Sequence, residues 1–274
     1  MLSARNKGVA PARYWLEMSL QNVTGRAPRD ARRLAIAVGI AVLLPLAAGC
    51  DSTKSSAPAR GSEPADGPRA EVVSLLAGIP QSGSTLGNPK APVTLQYFGD
   101  LECPFCRKFT LSVLPSIIRR WVRNGSLKIE YRSEQTATTQ PAVFKFQQVA
   151  ALAAGQQNKM WDFVELFYHE QGREDSGYVT ENYLQGLAQQ VPGLNLIDWT
   201  AARDDPNLAS TLTSDAQAVE RDGFTGTPSF LIGRTGGEFL KFRPPTDTNP
   251  TPYNLVIEAF LKPPTSRPGS SSAS

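Results

Sequence analysis

The sequence predicts an α/β fold: a central mixed sheet flanked by helices, with a helical subdomain inserted between its two halves. Three observations carry that reading. A strand–helix–strand pattern runs over residues 93–131. A block of helical patterning follows, over about residues 135–222. The chain then returns to strands at 229–242 and closes on a helix at 253–261.

Taken in order, Ala70–Ala77 reads as a short helix leading into a Gly/Pro/Ser-rich loop that runs to Pro92. Val93–Phe98 is an apolar run between Pro92 and Gly99, the pattern of a strand. Pro104–Arg123 is expected as one long helix, with Phe109, Val113, Ile117 and Trp121 among its apolar positions. After the Asn124-Gly125 turn, Leu127–Tyr131 is a second strand. The helical block divides into Pro141–Ala154, Lys159–Gln171, Glu181–Gln190, Leu196–Arg203 and Leu208–Asp222. Ser229–Ile232 and Glu238–Phe242 are strands around the Gly233–Gly237 turn, and Tyr253–Leu261 is the last helix. The crossover requires a parallel pair and the late hairpin an antiparallel one, so the sheet is mixed.

The formal charge of +3 belongs to the leader. Residues 1–49 carry seven Lys/Arg and two acids, which leaves 21 basic and 23 acidic residues from Cys50 onward, a net of −2. No nucleic-acid footprint is present in that balance. Leu34–Gly49 is an uncharged run of sixteen residues after Arg32-Arg33. It is short for a spanning helix, which needs about 20 residues, and it reads as the apolar region of an export signal covering 1–49. Its end, Leu46-Ala47-Ala48-Gly49-Cys50, resembles a bacterial lipoprotein cleavage box, although Leu46 stands one residue further back than in the usual pattern. The resemblance implies lipidation of Cys50. An uncleaved membrane anchor is the alternative, and Met18 is an alternative start to Met1. Residues 50–78 comprise a Ser/Ala/Pro/Gly-rich tether and a lead-in to the domain at 79–261, and 262–274 is an unstructured tail.

The motif that carries chemistry is Cys103-Pro104-Phe105-Cys106, between a strand and a helix. Pro104 suits the first helical position, which sets Cys103 at the N-cap. There the sulfur faces free backbone N–H groups, those of Phe105 and Cys106, and the positive end of the helix dipole. Both favour thiolate, so Cys103 is the expected nucleophile and Cys106, on the first turn, the resolving thiol. Zinc competes poorly for this pair. Structural zinc sites use four Cys/His ligands, and the chain has one further cysteine, Cys50, and one histidine, His169. No metal and no cofactor beyond a redox-active Cys103–Cys106 disulfide is therefore expected. With Cys50 lipidated, an exported chain keeping only this pair is suited to process disulfides rather than be stapled by them.

With Phe98–Cys106, the helical insertion and Gly226-Thr227-Pro228-Ser229-Phe230 in view, the chain resembles the DsbA-like thiol–disulfide oxidoreductases of bacterial envelopes, which have a thioredoxin-like fold. The resemblance covers roughly Leu86–Leu261. Locally, Thr227-Pro228 could simply start a strand in the trans form. The resemblance instead implies a cis Pro228 beside the cysteines, with Thr227 and Pro228 binding an extended substrate segment. Two departures stand out. The buried acid that many such proteins carry six residues before the first cysteine is Tyr97 here, and Phe105 stands where the enterobacterial form has histidine. Asp100, Glu102 and Glu130 are candidates for a proton relay to Cys106, against the plainer reading of solvated acids. His169, among Trp161, Phe163, Phe167 and Tyr168, reads as a structural residue of the insertion.

The expected function is an envelope-anchored enzyme that oxidises thiols of exported proteins, acting as a monomer on the extracytoplasmic face of the cytoplasmic membrane. A membrane partner would reoxidise it. Reductase or isomerase activity, or a non-enzymatic peptide-binding lipoprotein on the same fold, are the alternatives.

Overall fold

Val93–Gly99 (β3) is the central strand of a six-stranded sheet, and all of its residues but Gln96 are buried. That accounts for its near-continuous apolar sequence, because both faces are covered. The computed structural model describes residues 67–246 and 248–263. The leader, Cys50, the tether as far as residue 66 and the tail from residue 264 lie outside the described residues. No described helix is long and apolar enough to cross a membrane.

The chain enters through helix α1 (Pro68–Leu76) and a small hairpin, β1 (Gln81–Ser82) and β2 (Thr85–Leu86). After β3 come α2 (Pro104–Ser112), α3 (Leu114–Ile117), a π-type turn over Ile118–Val122, and β4 (Leu127–Ser133). The insertion comprises α4 (Pro141–Gln156), α5 (Met160–His169), α6 (Glu181–Gln190), α7 (Leu196–Ala202) and α8 (Pro206–Asp222). Then β5 (Ser229–Arg234), β6 (Phe239–Phe242) and α9 (Thr251–Leu261) complete the fold. The strand order is β1-β2-β4-β3-β5-β6, with β3 and β4 parallel and every other neighbouring pair antiparallel. The sheet is mixed, as expected.

The structure corrects two expectations from the sequence. The long helix after the cysteines is broken near Val113, whose φ/ψ of −107°/−48° departs from helical values. Pro115 supplies the cause: it has no N–H to give the Leu111 carbonyl, so the ladder stops and restarts as α3. The wider π-type turn follows, closed by the Arg123 N–H on the Ile118 carbonyl at 2.9 Å. The loop to Pro92 also contains the β1–β2 hairpin, which pairs with β4 through Thr85 opposite Glu130 and Leu86 opposite Ile129.

Aromatic rings fill the space where α2, α9 and the sheet meet. Phe109 sits 4.9 Å from Tyr97 and 4.8 Å from Phe230, ring centre to ring centre, and Tyr253 closes the group at 5.3 Å from both Phe109 and Phe230. Such contacts are worth about 0.5–1.5 kcal/mol each beyond area burial. The insertion has its own buried rings. Its two tryptophans satisfy their indole N–H groups on backbone, Trp161 on the Ser84 carbonyl at 3.0 Å and Trp199 on the Ala150 carbonyl at 2.9 Å. His169, at the end of α5, lies 4.0 Å from the Glu71 carboxylate of α1, and Arg107 of α2 acts on it from the other side of the charge balance.

Candidate active site

Two neighbouring strands deliver the site. β3 ends at Gly99 and leads into the Cys103 turn, and β5 begins at Ser229 directly after the Thr227-Pro228 peptide, which is cis. Phe98 pairs with Ser229 across the ladder, so the cysteine turn and the proline loop leave the sheet side by side.

Cys103 is the N-cap of α2, with Pro104 at the first helical position. Its Sγ accepts the Cys106 N–H at 3.4 Å and, as a thiol, donates to the Thr227 carbonyl at 3.4 Å. The sulfur is pulled down from the ordinary thiol range to about 7. The hydrogen bond from the Cys106 thiol contributes most, and the Thr227 hydroxyl and the N–H groups of Cys106 and Phe105 add to it against the opposing effect of burial. Cys106 behaves oppositely. It is fully buried, and burial first, then the proximity of Cys103, pushes its thiol well up. Both cysteines are free thiols in this structure. One sulfur is thus suited to attack and to leave, and the other to hold its proton.

The insertion braces this turn from behind. Gln171 donates to the Leu101 and Cys103 carbonyls at 2.6 and 3.1 Å, and Arg107 of α2 donates to the Tyr168 carbonyl at 2.8 Å. Tyr97, six residues before Cys103, is buried. Its hydroxyl donates to that of Tyr168 at 3.2 Å, which in turn donates to the Asp100 carbonyl at 3.1 Å. A chain of phenols occupies this position, and burial holds both phenols well above their ordinary range.

The acids expected at the site fall in different places. Asp100 is wholly buried and accepts from six donors. They are the N–H groups of Glu102, Thr136, Ala137 and Thr138, the Thr138 hydroxyl and the Gln147 amide. Such an acceptor organises a loop and leaves no lone pair open for a relay. Glu102 is buried, with one oxygen taking the Asp175 N–H at 3.3 Å and the other without a partner, and burial raises its carboxyl. Glu130 is a correction. It lies on β4 beside Gln96 and Lys128, bonded to them at 3.1 and 2.8 Å, and it does not reach the cysteines. An acid that the sequence reading passed over lies closer. Glu134, one residue past β4, is 3% exposed, and its Oε2 has no partner. Burial raises it to about 7, the Gly226 N–H draws it back down, and Asp100 and Cys103 both repel its charge. Only its position directly after the strand could have singled it out, and that signal is weak without the fold.

A groove of about 440 Å³ runs beside Pro228, bordered by Phe105, Phe224, Thr227, Phe230, Phe242 and Arg243 among others. Phe105 is 56% exposed, unusual for a phenylalanine, and stands at its edge. Among the described residues, no cluster of three or more His, Cys, Asp or Glu is arranged to hold a metal ion.

Comparison with known proteins agrees with this geometry. A family model described as Thioredoxin matches residues 81–238, more than half of the chain. Disulfide bond formation protein D of Bacillus subtilis is 25% identical over 152 residues, which span 54% of this chain and 66% of that protein. Among solved structures, oxidised BdbD from Bacillus subtilis has a TM-score of 0.55 at 20% identity, covering 66% of this chain and 96% of its own. Wolbachia pipientis alpha-DsbA1 has a TM-score of 0.55 at 18% identity, covering 68% and 92%. At these identities the solved structures speak for the fold. The chain therefore belongs to the thioredoxin family, and its fold is similar to those of BdbD and alpha-DsbA1.

Proposed function

We propose that this protein is a thiol–disulfide oxidoreductase that oxidises thiols of exported proteins at the Cys103–Cys106 pair. In the oxidised enzyme a substrate thiolate attacks Cys103 Sγ. The new sulfur–sulfur bond forms as the Cys103–Cys106 bond breaks, and Cys106 leaves and takes up a proton. A second substrate thiolate then attacks the substrate sulfur of the mixed disulfide, and Cys103 leaves as thiolate. The substrate ends with one disulfide, and its two electrons reside in the reduced Cys103/Cys106 pair. The pair itself serves as the redox group, with no added cofactor. Thr227 and Pro228 border the substrate path, and Phe105 lies under the incoming chain.

The observation that carries this reading is the asymmetry of the two sulfurs. The Cys103 anion is stabilised to about 7 by hydrogen bonds while Cys106 is buried and pushed up. Stabilising the leaving thiolate favours the reduced enzyme, which makes the disulfide the stronger oxidant. The name of the Bacillus subtilis relative, a disulfide bond formation protein, points the same way. The leader supports export, and Cys50 supports anchoring by lipid on the extracytoplasmic face of the membrane. Reoxidation by a membrane partner completes the cycle.

Equilibration against glutathione buffers tests the direction. A potential near about −120 mV supports the oxidase, and one near about −270 mV assigns the protein to the reductants. A Cys106→Ser variant, exposed to an oxidised thiol peptide, should accumulate a mixed disulfide at Cys103 that survives non-reducing electrophoresis. Its absence would point to a binding role.

A further inference from the structure

The proline loop is held from its far side by the segment that leaves β4. Asp100 takes the Thr136 N–H at 3.0 Å and pins this segment in place. The Thr136 hydroxyl meets the Thr227 hydroxyl at 2.5 Å. The Glu134 N–H is bonded to the Gly99 carbonyl at 3.0 Å, so its buried side chain starts from the same strand ends that carry the cysteine turn and the proline loop. Gly226, next to Thr227, supplies a backbone N–H to the Glu134 carboxyl, whose Oε2 has no partner.

We propose that Thr136 and Glu134 are positioning residues of opposite effect in the exchange reaction: Thr136 turns the Thr227 hydroxyl toward the Cys103 sulfur and favours its anion, while Glu134, on ionising, sets a second negative charge against that sulfur and opposes it. The proposal deepens the oxidoreductase reading and rests on it for the role of Cys103. The hydrogen-bond arithmetic supports the first half. A Thr227 hydroxyl has one proton. To give it to the Cys103 thiolate, it must accept rather than donate toward Thr136, and Thr136 has a proton to offer.

The surroundings of Glu134 support the second half. From the turn after β3, Asp100 and Cys103 face it, and Cys106 stands behind Cys103. From α8, Asp215 approaches the end of β4, where it binds the Ser133 N–H at 2.8 Å and the Arg132 guanidinium at 2.8 Å, which engages that cation. From α4, Gln147 and Gln148 bring only neutral amides. The loop over 224–228 carries no charged side chain. Glu134 and Cys103 both titrate near neutrality in this setting, so each proton lost makes the other harder to lose. The pair then loses its protons over a broad pH range, and the thiolate is withheld more as the pH rises than a single site would allow.

Thiolate formation tests this directly. In the reduced full-length protein, the alkylation rate of the Cys103 peptide is followed by mass spectrometry from pH 4 to 10, which separates it from Cys50 and Cys106. Glu134→Gln keeps the shape and removes the charge. It should leave the rate at pH 6 nearly unchanged, because Glu134 is still mostly protonated there, shift the part of the profile above pH 7 down by up to about half a pH unit, and sharpen it to that of a single site. Thr136→Val, at an exposed position, should lower the thiolate fraction at pH 6 by about threefold, equal to half a pH unit. An unchanged profile in Glu134→Gln, or shifts of the same sign in both variants, overturns the inference. A wild-type midpoint at the ordinary cysteine value of about 8.5 would count against the oxidase reading instead, and the difference between wild type and Glu134→Gln would still decide this one.

Discussion

Replacing Asp100 should be among the most costly single changes in this protein, and the cost can be worked out donor by donor. Asp100 Oδ2 accepts the N–H groups of Thr136, Ala137 and Thr138 at 3.0, 2.9 and 2.9 Å. Oδ1 accepts the Glu102 N–H at 3.1 Å, the Thr138 hydroxyl at 2.6 Å and the Gln147 amide at 3.4 Å. In Asp100→Ala the Glu102 and Thr138 N–H groups, both in buried residues, lose their acceptor. Each orphaned donor costs about 1–3 kcal/mol. The N–H groups of Thr136 and Ala137 are only partly buried and recover water, so they add little. The sum is about 4 kcal/mol, at the far end of what single substitutions do. Asp100→Asn should cost about half of that. Its carbonyl oxygen belongs at the Oδ2 position, facing three N–H groups. Its amide then takes the Oδ1 position, where the Thr138 hydroxyl can rotate to accept but the Glu102 N–H cannot. Urea unfolding of wild type and both variants reads the difference as a shift in midpoint at constant slope. A loss below about 1 kcal/mol in Asp100→Ala would refute this account of the loop, because it would mean that water replaces the carboxylate at no cost.

Two further predictions follow from groups at other places. Phe105→Ala should raise KM for a cysteine-containing peptide severalfold while leaving the Cys103 alkylation profile in place, because the ring is exposed at the groove and only the Phe105 backbone acts on the sulfur; steady-state kinetics beside alkylation separates the two. Glu165 is buried with neither carboxylate oxygen partnered, and burial raises it to about 8. The folded state therefore keeps a proton that the unfolded chain releases near about pH 4.3. This contribution is fully present below that pH and is lost as the pH rises to about 8, by up to about 1.4 kcal/mol per pH unit, and Glu165→Gln should flatten the decline in urea midpoints over that window.

Much of the architecture was legible because its signals are local. The apolar run of β3, the Asn124-Gly125 turn and the start of α2 at Pro104 each announce themselves within a few residues. The break at Pro115 was missed: a proline inside a helical pattern removes a backbone donor, but the apolar spacing on either side read as one continuous helix. The β1–β2 hairpin escaped for a different reason: strands of two residues have no periodicity to read, and this pair is held by β4. At the site, Cys103 and Cys106 stand close in sequence and were found as a motif. Thr136 and Glu134 meet Thr227 and Gly226 from about ninety residues away, by a contact that the pairing of β3 with both β4 and β5 brings about. Asp100 read as a solvated acid or a candidate relay because sequence shows its charge and not the burial and the six donors that saturate it.

The pairing of Phe98 with Ser229 has a consequence for how such an enzyme can diversify. The reactive turn and the proline loop hang from adjacent rungs of one ladder in the middle of the sheet, so no hinge separates them. The gap between sulfur and proline is a property of the scaffold, inherited whole. The balance between the two sulfurs can then be tuned by exchanging a few side chains around that gap, at positions such as 134, 136 and 227, while the ladder beneath stays as it is.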